Sequence, residues 1–227
     1  MASVVAIILA RGGSKGIPGK NIKDFCGQPL VSWTIQQAIQ SNEIDEVFLT
    51  SDSKEILTIG KDYGAKLINR PEEFASDEAS SESAILHALS TFKNEPEIIV
   101  MLEPTAPLRK KDDLSNAINQ FKAEGWDSAF SGSLLECFLI WERDSEGNLN
   151  SINYDYTSKV IRRQDRKDNF HENGAIYIFK PDILRMNNRF GGKIGIYLME
   201  HWQQFEIDTP EEWPFVEDVF RKYILDA

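Results

Sequence analysis

The chain has 227 residues, 25 Lys and Arg against 36 Asp and Glu, a net charge of −11, and 41% hydrophobic residues. That mixture suits one large globular domain able to bury a core without disulfide or metal staples. The acidic balance argues against a broad nucleic-acid surface, and no run approaches the roughly 18–20 apolar residues a membrane span needs. The charge is unevenly spread, however. The first 23 residues hold Arg11, Lys15, Lys20 and Lys23 and no acid, leaving −15 for the rest. A local cationic segment on an acidic body points to one small bound anion.

Val4–Leu9 is a continuous apolar, β-branched run, the pattern of a strand buried on both faces. Because the N-terminus lacks a basic region before that run, it does not read as a signal peptide. Pro29 opens a helical pattern with Leu30, Val31, Trp33, Ile35, Ala38 and Ile39. Val47–Thr50 reads as a second strand, Ser53 as the N-cap of a helix through Tyr63, and Gly64 as its stop. Ala65–Ile68 is a short strand, and a polar loop to Ser80 precedes a helix carrying Ala84, Ile85, Ala88, Leu89 and Phe92. Ile98–Leu102 is another buried strand, Lys111–Lys122 a helix, and Ser128 begins a fifth strand. Repeated strand–helix–strand units imply an α/β fold, a mostly parallel sheet flanked by helices, with ligands beyond the carboxyl ends of the strands. Arg11–Asn21, Ser51–Ser53, Asn69–Ser81 and Glu103–Arg109 all follow strands and should meet on one rim.

The rhythm changes after about residue 132. Phe138–Trp141 and Asn148–Tyr154 flank Asp144-Ser145-Glu146-Gly147 as a hairpin; Gly174–Phe179, Ile194–Met199 and Phe205–Ile207 read as later strands. Thr209, Pro210 and two acids mark a final helix start. No repeat or linker divides the chain, so residues 1–227 form a single domain with an excursion near 135–180. Phe138, Ile140 and Trp141 in that polar arm suit a surface awaiting a partner, or could equally pack locally. Cys26 and Cys137 match no zinc or redox spacing and read as free thiols of a reducing cytoplasm. His87, His171 and His201 form no metal motif.

The most informative segment is Ala10-Arg11-Gly12-Gly13-Ser14-Lys15-Gly16-Ile17-Pro18-Gly19-Lys20-Asn21. Its glycines let backbone amides approach a polyphosphate, and its three cations can neutralise one. The spacing fits neither a Walker A loop nor a GxGxxG dinucleotide fingerprint.

This segment resembles the signature A-R-x-x-S-K-G-x-x-x-K-N of the acylneuraminate cytidylyltransferases, the CMP-sialic acid synthetases. The resemblance continues in order through Leu49–Ser53, Arg70–Asp77, Leu102–Arg109, Arg163-Gln164, Glu172–Tyr177 and Ile207–Thr209, and so covers essentially the whole chain. It implies a Rossmann-like, GT-A-like nucleotidyltransferase fold, a homodimer held by the 135–180 excursion, and transfer of CMP from CTP to a sialic-type sugar acid with release of pyrophosphate. It also implies roles for single residues. Arg11 and Lys20 would lie on the phosphates, with Lys20 the transition-state stabiliser. Ala10, Gly12, Gly13, Ser14 and Lys15 would form the cradle, and Asn21 would help read the nucleotide. Arg70, Ser76, Asp77 and Ser81 fall where cytosine and ribose are recognised. Glu103, Arg163, Gln164, Asn173 and Tyr177 match positions linked to the sugar. Asp208, and Glu206 on the same face if Phe205–Asp208 is a strand, would hold Mg²⁺ or Mn²⁺.

Two departures stand out: Glu206 replaces the usual Asp, and Glu103 replaces the usual Gln. A carboxylate beside an anionic sugar calls for an amine or hydroxyl on the acceptor, as in a legionaminic- or pseudaminic-type acid. Two rival readings are a nucleotide-sugar-dependent glycosyltransferase using Glu206-Ile207-Asp208 as its metal motif, and a non-catalytic nucleotide-binding module.

Overall fold

The computed structural model describes residues 3–135, 139–157, 162 and 168–226. Strand β1 spans Val4–Leu9, and a small hairpin, β2 (Asp24–Phe25) and β3 (Gln28–Pro29), leads into helix α1 (Leu30–Gln40). There follow β4 (Glu46–Ser51), α2 (Lys54–Asp62), β5 (Lys66–Asn69), α3 (Ser81–Ser90), β6 (Ile98–Leu102), α4 (Asp113–Glu124) and β7 (Ser128–Leu134). The excursion carries β8 (Trp141–Arg143) paired antiparallel with β9 (Leu149–Ser151). The chain then returns through β10 (Phe170–Phe179), α5 (Pro181–Leu184), β11 (Ile194–Leu198) and α6 (Glu212–Phe220).

Seven strands form the main sheet in the order β11-β7-β10-β6-β1-β4-β5. Six run parallel; β10 alone is antiparallel, inserted between β6 and β7. Alternate residues of β1 serve different faces, as a two-residue period requires. Ala6 and Ile8 pack with Val31, Ile35, Leu114 and Ile118 from α1 and α4. Val5 and Ile7 pack with Ile85 and Ala88 of α3 and with Ile183 and Leu184 of α5. Each fully buried Val, Leu or Ile side chain among these contributes about 1.5–3 kcal/mol. Local signals place the helix ends. The Ser53 hydroxyl accepts from Ile56 N–H at the start of α2, and Gly64 takes φ +90° just past its end.

A third cluster positions the site. Ile17 of the Gly-rich loop and Ile207 of the C-terminal segment pack together with Phe25, Leu30, Leu108, Trp213 and Phe220. The two segments therefore share one small core although they are far apart in sequence.

Several expected elements differ in detail. Strand β10 begins at Phe170 rather than Gly174, with a register shift between Glu172 and Tyr177. Gly174 occupies that irregularity at φ +64°. Helix α4 starts at Asp113, where its carboxylate accepts from Lys110 N–H at 2.6 Å, rather than at Lys111. Phe205–Ile207 is not a strand: Ile207 N–H donates to the Thr105 carbonyl at 2.9 Å, and no ladder forms. The hairpin of the excursion is present, with its first strand at Trp141; Cys137 and Phe138 lie outside the described residues. No helix among the described residues is long and apolar enough to cross a membrane.

Candidate active site

The carboxyl ends of β1, β4, β5 and β6 lie on the same edge of the sheet, because these strands are mutually parallel. Over that edge lies a cavity of about 510 Å³. Arg11, Ser14, Lys15, Lys20, Asn21, Arg70, Ser76, Asp77, Ser81, Glu103 and Asp208 all line it. Eleven residues from four widely separated sequence segments are thus brought to one place.

The Gly-rich loop is fixed from several sides. Asp52, directly after β4, accepts Gly12 N–H at 2.8 Å. That amide is consequently spent on the protein, while Gly13 has open space around it. Gly16 passes so close to the C-terminal segment that a Cβ there would sit 2.1 Å from the Asp208 carbonyl oxygen. Lys20 is buried and donates to the Ile207 carbonyl at 2.6 Å and to Asp208 Oδ1 at 3.0 Å. Asn21 Nδ2 donates to the Arg11 carbonyl at 3.0 Å, leaving its buried Oδ1 without a hydrogen-bond partner among the described residues. An unpaired buried acceptor is costly, and this one belongs to a residue of the cavity wall.

The opposite lip is the segment between β5 and α3. Asp77 bridges two cations, with Oδ1 2.9 Å from Arg11 and Oδ2 2.8 Å from Lys15. The Lys15 hydrogen bond, followed by that from Arg11, holds the Asp77 carboxyl below the usual range. Arg11 also donates to the Ser76 carbonyl at 3.3 Å. Ser80 caps α3 by accepting from Ser83 N–H, which sets Ser81 at the helix start beside the cavity. Arg70 is buried, donates to the Thr50 carbonyl at 2.6 Å, and has its pKa pushed down to about 10 by burial.

Of the three sugar candidates among the described residues only Glu103 lines the cavity; Arg163 and Gln164 lie outside the described residues. Asn173 is fully buried and committed to protein partners: it accepts from Ser131 Oγ at 2.6 Å and donates to the Gln203 carbonyl at 3.1 Å. Tyr177 is buried, donates to Glu172 Oε1 at 2.6 Å, and lies under the Arg189 guanidinium, 4.7 Å from its ring centre. Burial pushes the Glu103 carboxyl up, against the pull of Arg189. Glu206 does not line the cavity. Its carboxyl lies where a Cβ on Gly174 would come within 2.6–2.7 Å, and burial, then Glu103, push its pKa up to about 8. Ala10, Gly12 and Gly13 are not in the cavity wall, although each flanks a residue that is.

No cluster of three metal-ligating side chains occurs among the described residues. Asp208 is an exposed carboxylate in the cavity lining, paired with Lys20. That suits a cation such as Mg²⁺, which is commonly held by one or two carboxylates and completed by substrate phosphates. Asp52, Phe74, Ser80 and Thr105 lie in segments expected at the rim, but no motif assigns them a part of their own. The Ser51-Asp52-Ser53 turn was flagged as reaching the rim, but not as the anchor of the neighbouring loop.

A family model described as cytidylyltransferase matches residues 5–226. An N-acylneuraminate cytidylyltransferase A from Danio rerio is 33% identical over 216 residues, covering 94% of this chain and 50% of that one. The chain thus spans about half the length of that relative. A pseudaminic acid cytidylyltransferase from Campylobacter jejuni is 36% identical over 224 residues, 96% of both chains. Among solved structures, a CMP:2-keto-3-deoxy-manno-octonic acid synthetase complexed with CTP superposes with a TM-score of 0.73 at 15% identity, over 97% of this chain and 99% of that one. This last likeness establishes the fold, an α/β nucleotidyltransferase architecture.

Proposed function

Because the chain belongs to the cytidylyltransferase family, we propose that it transfers CMP from CTP to the anomeric hydroxyl of a nonulosonic, sialic-type sugar acid, releasing pyrophosphate. The observation that carries this reading is the convergence of Arg11, Lys15 and Lys20 on a single cavity, with Asp208 beside Lys20 in its lining. Three cations on one loop suit a triphosphate. In the reaction the sugar hydroxyl gives up its proton to solvent as its oxygen bonds to the α-phosphorus, the bond to the bridging oxygen breaks, and negative charge collects on the departing pyrophosphate. Lys20 is anchored by a backbone carbonyl and a carboxylate, so it needs little reorganisation to meet that charge. The unpaired Asn21 oxygen offers an acceptor to a ribose hydroxyl or the base amine. Mg²⁺ held by Asp208 would supply further neutralisation at the phosphates.

The acceptor end contains Glu103, with Arg189, Tyr177 and Glu172 behind it. A carboxylate in this wall favours an acceptor presenting an amine or hydroxyl there, hence a modified nonulosonic acid such as a legionaminic- or pseudaminic-type sugar. The full-length match to a pseudaminic acid cytidylyltransferase supports the same direction.

The excursion bears exposed Leu139, Ile140, Trp141, Leu149, Ile152 and Tyr156. Covering these by a second copy would make the protein a homodimer. A buried free Cys26 is consistent with a cytoplasmic setting.

The test is pyrophosphate release by purified protein with each of four nucleoside triphosphates and a panel of 2-keto sugar acids. Release that requires CTP and a nonulosonic acid is expected. Release with another nucleotide alone, or hydrolysis without acceptor, would overturn the assignment.

A further inference from the structure

Each of the loop's three cavity cations is paired with a carboxylate in this structure. Lys20 is held by Asp208. Arg11 and Lys15 are held together by Asp77, one carboxylate oxygen to each. The two Asp77 contacts have a particular form: two oxygens of one anionic group, 2.8 and 2.9 Å from two cationic nitrogens. A phosphate group presents the same pattern of paired oxygens. Asp77 reaches across the cavity mouth from the lip opposite the loop, and Arg11 holds that lip a second time through the Ser76 carbonyl.

We propose that Asp77 is an internal stand-in for a phosphate: it occupies Arg11 and Lys15 and straps the Ala75–Ser80 lip across the cavity mouth until a polyphosphate chain displaces it. The inference deepens the nucleotide-binding reading and rests on it, but it reverses the expected part of one residue. Asp77 competes with the nucleotide's phosphates instead of contacting the nucleotide. The exchange makes and breaks no covalent bond. Two cations leave one carboxylate for a ligand with more negative oxygens, and the freed carboxylate returns to water at a position that is already half exposed. Exposed ion pairs are weak, so the strap costs little to break. That is what a displaceable placeholder requires, since a buried pair would hold the site shut.

The prediction has a sign that separates it from the alternative. Asp77→Asn keeps the shape and removes the charge. It should bind inorganic tripolyphosphate and CTP about three- to tenfold more tightly than the natural protein at low salt, two exposed pairs being broken. Cytidine, which lacks phosphates, should bind both proteins equally. The salt dependence should steepen in the variant, because two more cations shed mobile counter-ions on binding. Glu78→Gln is the control for charge alone, since it removes one negative charge from the next residue of the same lip. Calorimetric titration of the three proteins with the three ligands reads all of this. Weaker CTP and cytidine binding by Asp77→Asn would make Asp77 a nucleotide contact and overturn the strap. Equal tightening by Glu78→Gln would reduce it to a general field and overturn it too. Tripolyphosphate binding that is unchanged in Asp77→Asn would refute the strap while leaving CTP recognition intact.

Discussion

Lys20 Nζ lies 3.0 Å from Asp208 Oδ1, a contact between residues 188 positions apart, and the same ammonium donates to the carbonyl of Ile207. The pair joins the loop after β1 to the segment before α6. It also places a buried cation beside an exposed carboxylate.

Lys20→Ala should lower kcat for pyrophosphate release by about 10²–10³-fold, the scale of losing one preorganised donor to developing charge. The KM for CTP should change only a few-fold, because Arg11 and Lys15 still hold the ground-state phosphates. Steady-state kinetics decide; an equal rise in KM with kcat unchanged would assign Lys20 to simple binding.

Asp208→Asn keeps a hydrogen-bond acceptor for Lys20 but removes the charge a divalent cation needs. Chelation should abolish activity of the natural protein, with Mg²⁺ or Mn²⁺ restoring it. The variant should need at least about 10–100-fold more metal for half-maximal rate, by analogy with lost metal-supporting groups. A metal titration of turnover measures this, and an unchanged requirement would remove Asp208 from the metal site.

Gly13 and Gly16 sit three residues apart in one loop yet should respond in opposite ways to Ala. A Cβ on Gly13 meets nothing within 4 Å, so its melting point should stay within the equivalent of about 0.5 kcal/mol. A Cβ on Gly16 would collide with backbone at Asp208, forcing the two segments apart at about 1–3 kcal/mol and disturbing the Lys20 contact. Thermal unfolding of both variants would expose an error if Gly16→Ala matched Gly13→Ala.

Glu82 and Arg189 form a largely buried pair at 2.6 Å. Burial works against ionised Glu82, but the Arg189 bond overcomes it and leaves the carboxyl below its ordinary value. A depressed folded value means the stabilisation is present above the unfolded pKa of about 4.3 and is lost as pH falls through the folded value. Glu82→Gln should therefore cost about 1–3 kcal/mol near pH 7 and progressively less below about pH 4. Urea unfolding across that range tests the sign; a gap that widened on acidification would contradict it.

The strands that were most legible in the sequence are those buried on both faces. Val4–Leu9 and Ile98–Leu102 appear with the expected bounds, since a continuous apolar run has no other way to hide. The Ser53 cap was equally plain because its partner lies three residues away. Phe205–Ile207 misled for the opposite reason. Its apolar residues do bury, but in the third cluster, and the Ile207 backbone bonds Thr105 and Lys20 in place of a neighbouring strand. Phe170–Asn173 was missed because a strand that leads into a rim is polar on its open half. The loop's cations and Asp208 could be named from motifs. Their pairing with particular carboxylates could not, since a separation of 66 positions between Arg11 and Asp77 leaves no periodic trace.

Strand β10 has one further consequence, which concerns the order in which a ribosome releases the chain. The slot between β6 and β7 is filled only by residues 170–179, so a nascent chain that has already delivered both flanking strands must keep their facing edges open. Such long-range closure slows folding and exposes unpaired edges in the meantime. The Gly-rich loop emerges well before Ile207 and Asp208, the residues that complete it. A nascent or truncated chain therefore cannot hold Lys20 in its working position, and ligand binding can stabilise only the finished molecule.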